Sequence, residues 1–247
     1  MEKVTTKALE KLLVTARSTP QGPDAARIQE AVFKALLDAT VYAHVPIEPA
    51  PPGRMRFIQF VRPDNGQTVL PFFSDRAQAE QPQRKGVSIV AMSGRQLFEL
   101  TQGATLMLNP NLDMVALYPP EIVALLEGKE LGYFAKHTLE EDVPVGACLP
   151  SVPTSDLDLA LRGLFEEEQT VRAAYLVEIH REDEYAEVFL LVTIVAASSH
   201  HERLLQLVTL ALKMRSTNLE LPLSISFVEP GEPLPKVCHA GVQFFGR

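Results

Sequence analysis

Pro63-Asp64-Asn65-Gly66-Gln67-Thr68-Val69-Leu70-Pro71-Phe72-Phe73-Ser74-Asp75 is the stretch on which the reading of this chain turns. Its Asn-Gly pair tolerates the positive φ of a tight hairpin turn. Val69 to Phe73 then reads as an apolar strand folded back on Phe57 to Val61. Ser74 or Asp75 stands where a side-chain oxygen can cap the short helix that follows. A hairpin running straight into a helix points to a mixed α+β fold. Successive side chains alternate along a strand, so Phe72 and Phe73 face opposite sides. One is expected in the core, the other exposed or covered by a helix.

Working outward, Leu9, Leu12, Leu13 and Ala16 share one helical face and predict a helix over 6–17. Pro20, Gly22 and Pro23 end it. Asp24 is placed to cap a second helix with Ile28, Val32, Ala35 and Leu36 on its buried stripe. Thr40 to Val45 reads as a strand and the proline-rich stretch 46–53 as a loop. Val87 to Met92 is a strand, and Ser93 with Gln96 makes a capping-box pattern for a helix through Thr101. Thr105 to Leu108 is a short strand stopped by Asn109-Pro110, a turn pair. Pro119 and Pro120 pre-set a helix through Leu126, and Gly128 can end it. These elements define a mixed α+β unit over residues 1–129.

Residues 130–142 read as a linker, most polar at Glu140-Glu141-Asp142. A second unit, 143–247, follows. Val143 to Leu149 is a strand, and Ser155 to Glu167 a helix with Leu157, Leu161 and Phe165 on its apolar face. Val171 to Ile179 alternates, with Arg172 and Glu178 on one side. Val188 to Val195 is almost wholly apolar, as in a central strand buried on both faces. Ser199 and Glu202 form a capping-box pattern for a helix to about Arg215. Leu223 to Val228 and Val242 to Phe245 are the last strands. The order strand, helix, strand, strand, helix, strand predicts a ferredoxin-like arrangement, βαββαβ. That arrangement hosts many unrelated functions and constrains chemistry little.

Composition narrows the function classes. The chain has 247 residues, 46% of them hydrophobic, enough to bury a core in each unit. Its 31 acidic against 23 basic residues give a net charge of −8, which repels phosphate backbones. Arg54-Met55-Arg56 and Gln83-Arg84-Lys85 are too short for a basic patch, so nucleic acid is not an expected partner. Two cysteines, Cys148 and Cys238, make no disulfide framework and read as reduced thiols. Cys148 sits among apolar residues and is expected to be a small core residue. There is no apolar run of membrane-spanning length and no signal-peptide pattern. No membrane association is expected, and the expected location is the cytoplasm.

Sequence motifs for chemistry fall short of their requirements. His200-His201-Glu202 suggests a metal, but a helical zinc pair needs its second histidine four positions after the first. Leu205 stands four after His201, so these residues read as a solvated helix start. Neither cysteine has a Cys-x-x-Cys partner. Glu166-Glu167-Glu168 and Arg181-Glu182-Asp183-Glu184 read as solvated carboxylates rather than an acid–base pair. There is no nucleophile elbow, Walker loop or dinucleotide fingerprint. No cofactor or metal is implied.

Two segments carry a family resemblance: Gly66 through Asp75, and Gly94-Arg95-Gln96-Leu97-Phe98-Glu99-Leu100-Thr101 with Gly103 through Pro110. Together they resemble the bacterial SseB-like family, named for an enhanced serine sensitivity phenotype. Leu9 to Leu13, Phe33 to Tyr42, Pro120-Glu121-Ile122 and the ending Gly241 to Arg247 are similar as well. The resemblance implies a known fold without an accepted catalytic motif. It also makes Phe72, Asp75 and Asn109 the candidate contacts for a partner or ligand. The expectation is a non-catalytic protein-interaction or regulatory module, with a protein partner or a second copy of itself bound to it. The competing expectation is a small-ligand sensor or enzyme linked to amino-acid (serine) metabolism, with its pocket at the domain junction.

Overall fold

Local signals place most elements. The structure, a computed structural model, describes residues 6–48, 50–81, 86–135, 145–181, 187–215, 217 and 219–246. It divides into two units, Met1–Ala135 and Lys136–Arg247. Of the expected linker, residues 136–142 lie outside the described residues. The stretch before them is packed: Leu131 is buried, and the Tyr133 hydroxyl accepts from the Gly22 N–H at 3.3 Å.

In the first unit the elements run α1 (Thr6–Ser18), α2 (Pro23–Asp38), β1 (Thr40–Pro46), β2 (Phe60–Val61), β3 (Thr68–Phe73) and α3 (Arg76–Glu80). They continue as β4 (Val87–Ser93), α4 (Gly94–Leu100), β5 (Leu106–Leu108), β6 (Val115–Leu117) and α5 (Pro119–Leu126). The Ser93 hydroxyl accepts from the Gln96 N–H while the Gln96 side chain accepts from the Ser93 N–H, the capping box its spacing predicts. Asp24 does not cap α2. Pro23 already occupies the first turn after Gly22, which leaves Asp24 inside that turn, at the positive end of the helix dipole.

The sheet order is β4–β1–β3–β5–β6, with β2 paired to β3. Neighbours are antiparallel except β3 and β5, which are parallel. Leu70, Phe72, Leu106 and Leu108 share one face, and Phe72 meets Phe98 of α4 edge-on. The other face carries Val69, Met107, Ala116 and Tyr118, with Phe60 of β2 against them. Phe73 also lies on that side, 4.9 Å from the His44 ring, and His44 Nε2 bonds the Ala79 carbonyl of α3. Both phenylalanines are therefore buried, because α3 closes over the face that Phe73 occupies. Gly94 is required where α4 meets α2: a Cβ there would fall 1.9 Å from the Leu36 carbonyl oxygen.

The second unit contains β7 (Val145–Cys148), α6 (Ser155–Glu167), β8 (Ala173–Arg181), β9 (Val188–Val195), α7 (His201–Met214), β10 (Leu223–Val228) and β11 (Val242–Gly246). Leu190, Val192 and Ile194 of β9 pack with Leu157, Leu161 and Phe165 of α6 and with Leu204 and Val208 of α7. Phe189 and Leu191 join Val177 and Ile179 in a separate cluster against Val237 and Ala240. A strand buried on both faces needs an apolar residue at every position, which is the run 188–195.

The ferredoxin-like expectation is corrected. That arrangement is a split βαβ, in which another strand separates the first two. Here β7 pairs directly and antiparallel with β8. The order is β10–β9–β8, with β11 and β7 sharing the outer edge of β8. The registers show how: β7 covers Glu178 to Arg181 and β11 covers Ala173 to Leu176. A four-residue first strand fills half an edge, and the last strand returns to fill the rest. The class remains α+β.

The capping box expected at Ser199 and Glu202 is also corrected. A 3-10 turn, Ser198–His200, precedes α7. Glu229, distant in sequence, accepts from the Ser198 N–H at 2.6 Å.

Candidate functional site

The parallel strands β3 and β5 end side by side at Phe73 and Leu108, and the chain turns away after each. Asn109 joins the two turns. Its Oδ1 accepts from the Ser74 N–H at 3.0 Å, and its Nδ2 donates to the Ser74 Oγ at 2.8 Å and to Asp113 Oδ2 at 2.6 Å. Its backbone has a positive φ of 45°, a conformation asparagine tolerates better than most residues. Its carbonyl accepts from the N–H groups of Leu112, Asp113 and Met114, which winds the loop tightly. Asp113 in turn receives Arg17 Nε at 2.7 Å and Nη2 at 2.9 Å, fastening α1 to the loop. That bond to Asp113 raises the Arg17 pKa above its ordinary value.

Asp75 caps α3. Its Oδ1 accepts from the Gln78 N–H at 2.8 Å and its Oδ2 from Gln78 Nε2 at 2.7 Å. Phe72 is fully buried. The structure thus gathers Asp75 and Asn109 at one corner, through Ser74, and places Phe72 in the core just before it. None of the three offers a free surface: Phe72 has no exposure, and the two polar side chains are engaged within the corner.

What the corner presents to solvent comes from other residues. Leu112 and Met114 are 52% and 61% exposed, on a loop whose Met114 also has a positive φ, 50°. Beside them a cleft of about 130 Å³ is lined by Phe73, Gln78, Gln81, Asn111 and Leu112. Ligand pockets for drug-sized molecules run from roughly 300 Å³ upward. A cleft this small holds at most a small polar molecule.

A second constellation lies in the second unit. The β7–β8 register sets Cys148 opposite Glu178, and Glu178 and His180 lie two apart on the same strand face. Glu178 is buried; Cys148 is exposed. His180 Nε2 stands 2.8 Å from Glu178 Oε1 and 3.6 Å from Cys148 Sγ, and Sγ is 4.0 Å from Oε1. Ser151 donates to Glu178 Oε2 through its N–H at 2.7 Å and its hydroxyl at 2.6 Å. These two bonds, with a smaller contribution from His180, hold the Glu178 carboxyl below its ordinary pKa. The expectation that Cys148 is a core residue is corrected: its neighbours in sequence are apolar, but β7 is an edge strand. The signal in the sequence was Glu178 itself, a charged residue in the middle of a strand with apolar residues on both faces.

The other motifs resolve structurally. His201 Nε2 bonds the Ala196 carbonyl at 2.7 Å, and its ring stacks on Phe227 at 4.3 Å. Glu168 is paired, not solvated, through two contacts from Arg203 at 2.5 and 2.7 Å. The carboxylates 182–184 lie outside the described residues. No helix among the described residues is long and apolar enough to cross a membrane.

Residues 9–124 match the SseB protein N-terminal domain. The chain is also 28% identical over 192 residues to Protein SseB of Escherichia coli (strain K12), covering 76% of this chain and 72% of that protein. Protein SseB of Shigella flexneri matches over the same length with the same identity. The chain is similar to SseB proteins, and its likeness to their N-terminal domain spans residues 9–124. No solved structure matches it. The likeness extends past the matched domain: 192 aligned residues exceed the length of the first unit, which ends at Ala135, so SseB-like sequence continues into the second. The Asn109 corner lies wholly inside the SseB domain, and the Cys148 constellation lies outside it.

Proposed function

We propose that this SseB-like chain is a non-catalytic protein-binding module of the cytoplasm, and that its partner docks on the loop from Asn109 to Met114. One observation carries the reading. Leu112 and Met114 project into solvent from a backbone fixed by the Asn109 carbonyl, the Asp113–Arg17 pair and two positive-φ residues. A bulky side chain held at positive φ is strained, and strain of this kind clusters at functional positions. A backbone already fixed loses little further entropy when a partner docks on it, which suits this loop to present apolar side chains. The net charge of −8 favours a protein partner over nucleic acid. The polar groups of the corner support the loop and supply no chemistry of their own.

The test is affinity capture from native lysate with the unaltered chain and with Leu112→Asp/Met114→Asp. A partner retained by the first and lost by the second, at unchanged thermal stability, is the expected result. Equal capture by both removes the loop as the docking site.

The neighbouring cleft favours a second reading, a sensor of a small polar ligand. Gln81 and Asn111 can donate and accept around such a molecule, and Gln78 can accept through Oε1 while its Nε2 is held by Asp75. Free amino acids, serine first, are the compounds to titrate. Saturable binding abolished by Gln78→Leu would move the function from the loop to the cleft.

A further inference from the structure

Cys148, Glu178 and His180 bring three different donor atoms, a thiol sulfur, a carboxylate oxygen and an imidazole nitrogen, within 4.8 Å of one another. Two arrangements of such groups carry chemistry. In a nucleophilic relay, the histidine meets the thiol with one ring nitrogen and the carboxylate with the other. Here the same nitrogen, Nε2, faces both Sγ and Oε1. The carboxylate therefore cannot orient a base for the thiol. Three donors directed at one point are instead the arrangement of metal ligands.

We propose that Cys148 Sγ, His180 Nε2 and Glu178 Oε1 form a binding site for a zinc-class divalent cation, with water in the fourth position. One edge of the triangle already suits that ion, while the Sγ–Oε1 edge, 4.0 Å, and the Nε2–Oε1 edge, 2.8 Å, must close and open by about 0.5 Å on binding. Zinc–sulfur and zinc–nitrogen bonds of about 2.3 and 2.0 Å at a tetrahedral angle set the S···N edge at about 3.6 Å. The observed edge is 3.6 Å. The mixed sulfur, nitrogen and oxygen set suits a borderline-soft ion and not magnesium or calcium, which take oxygen ligands. The 2.8 Å separation of Nε2 and Oε1 is that of a hydrogen bond, so a cation entering between them displaces its proton. On binding, the Cys148 thiol gives its proton to solvent, the imidazole proton sits on Nδ1, and Sγ and Nε2 each supply an electron pair to the ion.

The surroundings support the site from behind. Ser151 engages the far carboxylate oxygen, Oε2, with two donors, which orients Oε1 toward the cluster. Glu178 is buried, while Cys148 and His180 are open to solvent, so the ion has an entry path and the fourth position meets water. Gly146 pairs with His180 across the strands, so no side chain stands over the imidazole from that position.

The experiment is zinc titration of the full untagged chain, stripped by dialysis against chelator, in competition with a chromogenic chelator. One zinc per chain is expected. Cys148→Ser and His180→Ala should each weaken binding at least about tenfold, since loss of even a supporting partner costs 10–100-fold. Ser151→Ala should weaken it about tenfold for that reason. Cys238, buried and bonded to the Thr193 hydroxyl at 3.5 Å, is the control. In the unaltered protein, zinc should slow iodoacetamide labelling of Cys148, a readout that needs no variant to fold. Absence of stoichiometric zinc at micromolar concentration, unchanged labelling, or affinity that follows Cys238 in place of Cys148 overturns the proposal.

Discussion

The Asn109 corner and the Cys148 constellation are both clusters of polar side chains drawn together across strands, yet they end in opposite states. At the corner, donors and acceptors are matched: Asn109 serves Ser74 and Asp113, Asp113 serves Arg17, and Asp75 serves Gln78. At the constellation, one histidine nitrogen faces two acceptor-capable atoms, and two of the three groups look onto solvent. The corner holds the fold; the constellation has donor capacity to spare. A polar cluster therefore becomes a candidate for ligand chemistry through its unspent valence, not through its density of polar atoms.

That contrast can be broken or sharpened by substitution. The largest effect should come from the core behind the constellation. Leu191 is buried in the cluster with Val177, Ile179 and Phe189, and Leu191→Ala should cost roughly 2–5 kcal/mol in denaturant unfolding. A loss of that size assigns the stability of the second unit to packing rather than to its polar groups.

The next effect belongs to the corner. Asn109→Ala removes the acceptor of the buried Ser74 N–H and places a Cβ-bearing residue without a bonding side chain at positive φ. The expected loss is about 1–3 kcal/mol, with faster amide exchange at Ser74. Unchanged stability would show that the corner is not the matched network described above.

The constellation should behave otherwise. Cys148→Ser in metal-free protein should stay within about 0.5 kcal/mol of the unaltered chain, because the thiol is exposed and makes only long contacts. A larger loss would make Cys148 structural and erase the distinction between the two regions.

The smallest effect concerns pH. The Ser198 hydroxyl and N–H hold the Glu229 carboxyl below its ordinary value of 4.5. A lowered folded-state pKa adds stability above the unfolded value, and that stability is lost as pH falls through the folded one. Glu229→Gln should therefore flatten the acid limb of the stability profile below about pH 4.5 and leave stability less sensitive to acid. An unchanged acid limb would mean that Glu229 contributes nothing there.

Much of this organisation was legible in the residues, because short-range physics sets helix starts and strand cores. Ser93 and Gln96 cap α4 as their spacing requires. Pro119 and Pro120 open α5, and the apolar run at Val188–Val195 is a strand buried on both faces. Gly66 has a positive φ of 70°, but Asn65 does not, so the turn closes through a Gly66 N–H to Arg62 carbonyl bond and not on a two-residue Asn-Gly turn. Asp75 caps α3, as its place before that helix suggests, and Asn109 ends β5 in a turn; that Ser74 joins the two was not legible in the residues.

Strand partners and convergent side chains came only from tertiary structure. A strand's residues state which faces are apolar, but not which neighbour covers its edge. So β7 and β11 dividing one edge of β8 could not be read from the order of elements. The cap on Ser198 comes from Glu229, and the clasp on Asp113 from Arg17. Cys148 and Glu178 are 30 residues apart, and neither suggests a site alone. Their juxtaposition follows from a register set by backbone hydrogen bonds along two strands, and a one-residue slip would turn Cys148 to the opposite face from Glu178. The sequence determined the parts and their faces by local propensity. Long-range pairing, paid for by packing over the whole unit, decided which reactive atoms meet.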